Sequence, residues 1–259
     1  MTRKTEFYLE MKKLKHRYVP LLFLLTFAVI GLWMAWCLKD LDPSKTNDMP
    51  AVIYINLLLM NTILCPVLFA AAASRMCDME QLGETYKWLC TMQKPEHIYR
   101  GKVTAGCFYL VVFTTVQVVL FAALIRLVSP EDAGLIQRLP LLANLFTSLF
   151  LTSLCIFILQ LNLSIRFTNQ LTPVFISIGG TFAGLFSWFL NQSPLRYLIP
   201  WGYYAALCST GFHYDETTRY STYYWEPYPV FWMVVLSAAV ITLYLSGRRS
   251  FLRTVRETM

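Results

Sequence analysis

The chain has 259 residues, of which 56% are hydrophobic and 14% are charged, and its formal net charge is +7. Soluble domains usually carry about 25% charged residues, so this composition excludes an ordinary soluble globular protein. Six stretches reach the roughly 20 apolar residues that a helix needs to cross a bilayer. They lie at about 18–38, 51–73, 103–127, 139–163, 171–190 and 228–245. Because backbone amides in hydrocarbon must be satisfied within each segment, we predict an all-α polytopic membrane protein with one transmembrane domain.

Residues 1–17 precede the first stretch and are rich in lysine and arginine. Their apolar residues recur at helical spacing: Phe7, Met11, Leu14 and Tyr18. One apolar stripe among basic residues predicts an interfacial helix, an elbow that lies in the headgroup plane against anionic lipid. The alternative is a disordered basic leader. The first stretch is too long for a cleavable signal, so we expect it to be retained.

Basic residues lie mostly on one side of the predicted spans. Sixteen of the 22 lysines and arginines fall in the N-terminal arm, in segment 74–102, in the 164–170 loop or in the C-terminal tail. The positive-inside rule therefore places both termini and segment 74–102 in the cytoplasm. Because these residues border the spans instead of forming one face, they favour membrane topology over nucleic-acid binding.

Segment 74–102 is a charged hairpin between two apolar spans, and it is longer than a simple connection requires. Its spacing predicts a helix from about Asp78 to Leu89, with Tyr86 and Trp88 as aromatic anchors for a partner protein. Pro95 and Glu96 are typical of a helix start, so the third helix should begin before its span. A solvated loop is the alternative.

Segment 191–227 is predicted to be extracellular and is unusually aromatic. Its first half is apolar but too short to span, which is typical of re-entrant or interfacial pieces. Tyr and Trp favour the headgroup level, so an aromatic belt is one interpretation and a lid over a substrate path is the other.

Catalytic signals are missing from the sequence. No Asp, Glu, Lys or His lies deep within a predicted span, which argues against a proton-coupled transporter. The sequence contains no phosphate-binding loop and no metal-ligand spacing, so we expect neither an enzyme nor a metal site.

Cys37 and Cys208 are the one pair that could meet outside, and we do not expect them to bond. Asn56 and Asn61 favour interhelical hydrogen bonds, and Gly179, Gly180 and Gly184 favour close packing or a hinge.

Together, these features resemble those of the membrane subunit of ABC-2-type ABC transporters. The resemblance implies a type V exporter-like fold. The loop between spans two and three carries the match, at Glu80, Gly83, Trp88 with Leu89, Pro95 and Lys102. Three stretches resemble lantibiotic-immunity and bacitracin-export permeases more narrowly: "EMKKLKHRY", "GETYKWLCTMQKPEHIYRGK" and "YLIPWGYY". The tyrosine-rich stretch at 214–228 departs from that pattern.

The resemblance implies a permease in the bacterial cell membrane that expels a membrane-active antimicrobial peptide. Two permease chains would form the pathway, and two soluble ABC ATPase subunits would bind ATP and Mg, so that this chain holds no cofactor. ATPase coupling would fall to Glu80, Leu82, Gly83, Glu84, Tyr86, Trp88 and Leu89. The substrate path would include Asn56, Asn61, Trp201 and Tyr204.

Two alternatives stay open. The chain could be a non-transporting sensor or assembly partner that binds peptide or a cell-wall precursor through its outer aromatic segment. It could also belong to an ABC exporter of lipid or of a small drug.

Overall fold

A computed structural model describes residues 3–40, 48–82, 90, 93–128, 138–189, 194–215 and 220–258. Its long helices are α1 (Arg3–His16), α2 (Val19–Asp40), α3 (Met49–Leu82), α4 (Pro95–Val128), α5 (Leu139–Arg166) and α6 (Leu171–Phe189). Two one-turn helices follow, α7 (Leu195–Leu198) and α8 (Tyr203–Ala206), separated by a 3₁₀ turn (Pro200–Gly202). Strands β1 (Thr210–Asp215) and β2 (Tyr220–Trp225) precede the last helix, α9 (Val230–Thr258).

The predicted all-α polytopic fold is confirmed, because six of the described helices are long and apolar enough to cross a membrane. Helix α3 is the centre of the bundle. Of its apolar window 67% is buried inside the chain, against 17% for α2 and 11% for α9. The outer helices therefore present apolar side chains to their surroundings, as lipid-facing helices do. None of the seven cysteines, which include Cys37 and Cys208 and all lie in the described residues, is in a disulfide bond.

Three helices extend past their apolar spans at the end of the bundle that carries α1. Helix α3 continues to Leu82, so the predicted separate helix does not begin at Asp78. Helix α4 begins at Pro95, as its sequence indicates, and Glu96 lies in its first turn. Arg248 of α9 pairs with Glu96 at 2.8 Å, which joins α9 to the same polar end. The charged segment is thus built on extended helix ends.

Helix α1 packs on the bundle and reaches α2 through a sharp corner. Leu14 is buried, and Phe7 and Met11 are half-buried against the core, as the stripe predicts. Tyr18 is 67% exposed and has a left-handed φ of 55°, so it does not extend that stripe. Arg75 of α3 secures the corner by donating a hydrogen bond of 2.7 Å to the carbonyl of Arg17.

The opposite end of the bundle carries the aromatic segment. Its first half forms α7, the 3₁₀ turn and α8, and its second half forms an antiparallel hairpin that the sequence analysis did not predict. Asp48 anchors this hairpin, because its carboxylate accepts hydrogen bonds from Ala51 N–H at the start of α3 (3.0 Å) and from Trp225 Nε1 (2.6 Å). The ring of Trp225 also meets Tyr54 of α3 edge to face.

Two glycines of α6 let Trp201 pack against that helix. A Cβ at Gly180 would lie 2.1 Å from Trp201 Cε2, and one at Gly184 would lie 2.9 Å from the Trp201 carbonyl oxygen. Gly179 is different, since a Cβ there would have no neighbour within 4 Å. Close packing, one of the two roles predicted for these glycines, therefore applies to Gly180 and Gly184.

The Gly180→Ala variant is expected to lower the free energy of unfolding by about 1–3 kcal/mol, because the added methyl group overpacks the contact with Trp201. Its matched control, Gly179→Ala, should be neutral or more stable by up to about 1 kcal/mol through higher helix propensity. Thermal unfolding in detergent would measure both variants, and equal midpoints would contradict this account of the packing.

Candidate functional site

An ion-pair cluster joins the end of α3, the start of α4 and the inner face of α1. Glu80 Oε2 lies 2.9 Å from Lys102 Nζ, and Glu80 Oε1 lies 3.0 Å from Lys13 Nζ. Lys13 also pairs with Glu10 at 2.8 Å. Lys102 is fully buried and donates a further hydrogen bond of 2.6 Å to the carbonyl of Met76. These charges hold three helices in one geometry.

Glu6 extends the cluster along α1. Its side chain is 4% exposed and accepts a bond of 2.9 Å from Arg100 Nη2 and one of 2.7 Å from His97 Nδ1, both from the first turns of α4. A Cβ at Gly101 would lie 3.3 Å from Glu10 Cγ, so the backbone of α4 approaches α1 closely between these pairs. Helix α1 is therefore fastened to α4 at two successive turns.

Both key carboxylates are ionised at neutral pH. Burial alone would raise the pKa of Glu80, but the charges and hydrogen bonds of Lys102 and Lys13 outweigh it and hold that pKa below its ordinary value. The pKa of Glu6 is lowered for the same reason, because Arg100 and His97 outweigh the effect of burial. The cluster thus holds charged side chains largely away from water, where removal of one partner strongly destabilises the folded state.

Gln81, next to Glu80, ties α3 to the connection between α5 and α6. Its Nε2 donates to the carbonyls of Ser164 (2.9 Å) and Ile165 (3.1 Å), and its Oε1 accepts a hydrogen bond from Gln170 Nε2. Two consecutive residues of α3 therefore face two different parts of the bundle. Glu80 contacts α1 and α4, whereas Gln81 contacts the end of α5 and the residue before α6.

The coupling residues inferred from the sequence fall around this helix end. Glu80 is described, and it is buried in the ion-pair cluster rather than presented to a partner. Leu82 is the last residue of α3. Gly83, Glu84, Tyr86, Trp88 and Leu89 lie outside the described residues. The docking role of these residues stays a prediction.

Two of the four residues inferred for a substrate path lie on either side of one cysteine, and the other two lie elsewhere. Asn61 and Tyr204 are both fully buried, and Cys65 lies between them and donates to Asn61 Oδ1 at 2.9 Å. Tyr204 also shares a hydrogen bond of 2.8 Å with a serine of α5. Asn56 and Trp201 are only half-buried, the first on α3 and the second against α6. The substrate-path role stays a prediction, and the 2.6 Å hydrogen bond that Asn61 Nδ2 donates to Gln117 Oε1 of α4 is an interhelical one.

The inner acids of α1 are the functional residues that the sequence analysis missed. Glu6 and Glu10 lie four residues apart and share a helix face with Lys13. Two acids on one face of an otherwise basic arm are out of place in a helix that binds only anionic lipid. That pattern could have indicated a partner of opposite charge within the chain.

The fold and this polar end define a polytopic membrane protein in which an ion pair joins the two helices that flank residues 83–94. The described ranges contain no group of three or more His, Cys, Asp or Glu residues that is placed to hold a metal. A family model described as ABC-2 family transporter protein matches residues 7–184, from α1 into α6. The chain therefore belongs to the ABC-2 family of transporter proteins. A search of curated proteins found no match to the chain.

The family match indicates which component of the transporter hydrolyses ATP. ABC-2 membrane components work with ABC ATPases, and ATP hydrolysis takes place in the ATPase component. The matched range includes α1, the end of α3 and the start of α4, and thus every residue of the ion-pair cluster except Glu6. It ends before the β-hairpin and α9, which are features of this chain outside the match.

Proposed function

We propose that this chain is the permease subunit of an ATP-driven exporter that expels a membrane-active antimicrobial peptide from the bacterial cell membrane. Two such permease chains, identical or homologous, form the pathway, and two separate ABC ATPase subunits bind ATP and Mg. Both chain termini and the charged hairpin lie in the cytoplasm, where those ATPases are. Two findings support these points: the family match, and the excess of basic residues in the two terminal segments and in the connections on the same side of the predicted spans.

The observation that carries the proposal is the ion pair between the two helices that flank residues 83–94. Glu80 lies two residues before the end of α3, Lys102 lies seven residues after the start of α4, and their side chains pair at 2.9 Å. Lys13 adds α1 to the same pair, and α1 leads directly into α2. A force applied to the hairpin by an ATPase would therefore act on α1, α3 and α4 together.

The peptide cargo is supported by the sequence resemblance to lantibiotic-immunity and bacitracin-export permeases. A pathway between two chains also agrees with the burial of Asn61 and Tyr204 inside one chain. The half-buried Asn56 and Trp201 are then the better candidates for residues that face the path.

Peptide resistance tests the cargo. A peptide-sensitive bacterium that expresses this chain with the ABC ATPase that co-purifies with it should need more lantibiotic or bacitracin for growth inhibition. The matched control replaces the phosphate-binding lysine of the ATPase, and it should remove the protection. Protection against small drugs alone would favour a drug exporter. Peptide binding to the chain without ATP-dependent removal from cells would favour a sensor.

A further inference from the structure

A groove of about 790 Å³ opens between α1, α2 and α4, on the side of α1 that faces away from the ion-pair cluster. This volume lies within the range of about 300–1,000 Å³ that is common for small-molecule sites. The groove is lined from α1 by Tyr8, Met11, Lys12, Lys15 and His16, and from the corner, α2 and α4 by Tyr18, Pro20, Leu21 and Tyr109.

Helix α1 divides its charges between two faces. Glu6, Glu10 and Lys13 turn inward to the ion-pair cluster. Lys12 and Lys15 turn outward and are exposed at the groove. In the part of the chain that the structure describes, no carboxylate pairs with either of these two lysines. The groove therefore carries positive charge that no described carboxylate compensates.

The rest of the groove is apolar or aromatic. Leu21 is 46% exposed on α2, and Tyr109 of α4 is held by a stacked ring contact with Phe23 at 5.5 Å. Tyr8 and Tyr18 are both exposed and flank the lysines on either side along the chain. Tyrosine rings favour the headgroup level of a membrane, and Leu21 begins the apolar run of α2. The lysines thus lie at the border where headgroups give way to acyl chains.

We propose that this groove binds an anionic phospholipid. Lys12 and Lys15 contact the phosphate group, the two exposed tyrosines lie at the level of the glycerol, and an acyl chain runs along Leu21 and Tyr109. Cationic pockets beside membrane helices are suited to acidic headgroups, and each nearby basic residue adds to the attraction. A soluble anion would use the lysines but would leave the apolar wall of α2 and α4 uncovered.

The proposed lipid would also contact α1, a helix that takes part in the ion-pair cluster. A lipid held between α1, α2 and α4 would contact the outer face of α1, whose inner face is fastened to α3 by Lys13 and to α4 by Glu6. The inference goes beyond the proposed transport function and does not depend on it, because lipid binding is measured without ATPase or cargo.

Competitive lipid binding tests the proposal. Purified protein in detergent is mixed with equal amounts of phosphatidylglycerol and phosphatidylcholine that carry the same acyl chains, and retained lipid is counted by native mass spectrometry. The unaltered chain should retain phosphatidylglycerol preferentially. The double variant Lys12→Gln, Lys15→Gln should lower that preference by about tenfold or more. The variant Leu21→Trp, which fills the groove and keeps every charge, should lower it as well.

The matched control removes the same charge elsewhere, at two exposed lysines outside the groove, as Lys39→Gln with Lys94→Gln. It should keep the preference of the unaltered chain. A preference that survives in the Lys12, Lys15 variant or in Leu21→Trp would overturn the proposal. An equal loss in the control would overturn it too, because the preference would then reflect net charge and not a site.

Discussion

Replacing Glu80 with alanine is expected to lower the free energy of unfolding by about 3–5 kcal/mol. The reason is that this change removes the Glu80 carboxylate from the buried ammonium group of Lys102. Lys102 is fully buried and lies 2.9 Å from the Glu80 carboxylate, and Glu10, another carboxylate in the described part of the chain, lies 4.0 Å from it. The measurement is unfolding of the purified chain in detergent micelles, by thermal midpoint and by steric trapping.

The control for Glu80→Ala is Glu96→Ala, which breaks the 2.8 Å pair with Arg248. Glu96 is 48% exposed, so this change should cost about 0–1 kcal/mol. The double variant Glu80→Leu, Lys102→Leu should recover most of the lost stability, because no unpaired charge stays buried. Similar losses in the Glu80 and Glu96 variants would show that the ion-pair cluster does not brace the hairpin.

The pH dependence of the Glu80 effect follows from its lowered pKa. A carboxyl whose pKa is lower in the folded state than in the unfolded state contributes stability above its unfolded pKa and loses it as the pH falls through its folded pKa. The ordinary value here is 4.5, and the pairing with Lys102 and Lys13 brings the folded pKa below it. The difference between Glu80→Ala and the unaltered chain should therefore be complete at neutral pH and should narrow only below pH 4.5.

The membrane helices were predictable because hydrocarbon constrains sequence so strongly. About 20 apolar residues are needed per span, and the chain shows six such runs. Pro95 likewise marked the start of α4 correctly, since proline suits a first helical turn. These features are local, so the sequence alone carries them.

The polar features were less predictable because they depend on partners distant in sequence. Arg75, Asp78 and Glu80 follow an apolar run, and the spacing predicted a separate helix from Asp78, yet α3 continues through them. Arg75 and Asp78 contact Arg17, just after α1, and Glu80 pairs with Lys102 of α4, and no local pattern shows these contacts. The β-hairpin was missed for a similar reason. Its tyrosines suit a membrane belt as well as a strand, and only the pairing of Phe212 with Tyr223 and its neighbours distinguishes the two.

Trp88→Ala is expected to weaken the complex of this chain with its ABC ATPase by about thirtyfold or more. Loss of a buried aromatic anchor commonly costs about 2 kcal/mol or more at an interface. The chain itself should stay folded, because the ion-pair cluster at the base of the hairpin is intact. The measurement is ATPase recovered with the affinity-tagged chain, together with peptide-stimulated ATP hydrolysis.

Glu80→Lys is a poorer probe of coupling, since it would place a third cation beside Lys13 and Lys102.

The control for Trp88→Ala is Trp225→Ala, which removes an indole at the opposite end of the bundle. It should leave ATPase recovery unchanged. Full recovery with the Trp88 variant, or equal loss in both variants, would contradict a docking role for the hairpin.

Site-specific photo-crosslinking tests most directly whether a separate ABC ATPase acts on this hairpin. A photoreactive phenylalanine analogue at position 88 is irradiated in membranes that contain the ABC ATPase that co-purifies with this chain, with position 225 as the control. We expect a crosslink to the ATPase from position 88 and none from position 225. The contradictory result is a hairpin that a membrane-impermeant reagent modifies from outside intact cells, with no ATPase captured from position 88.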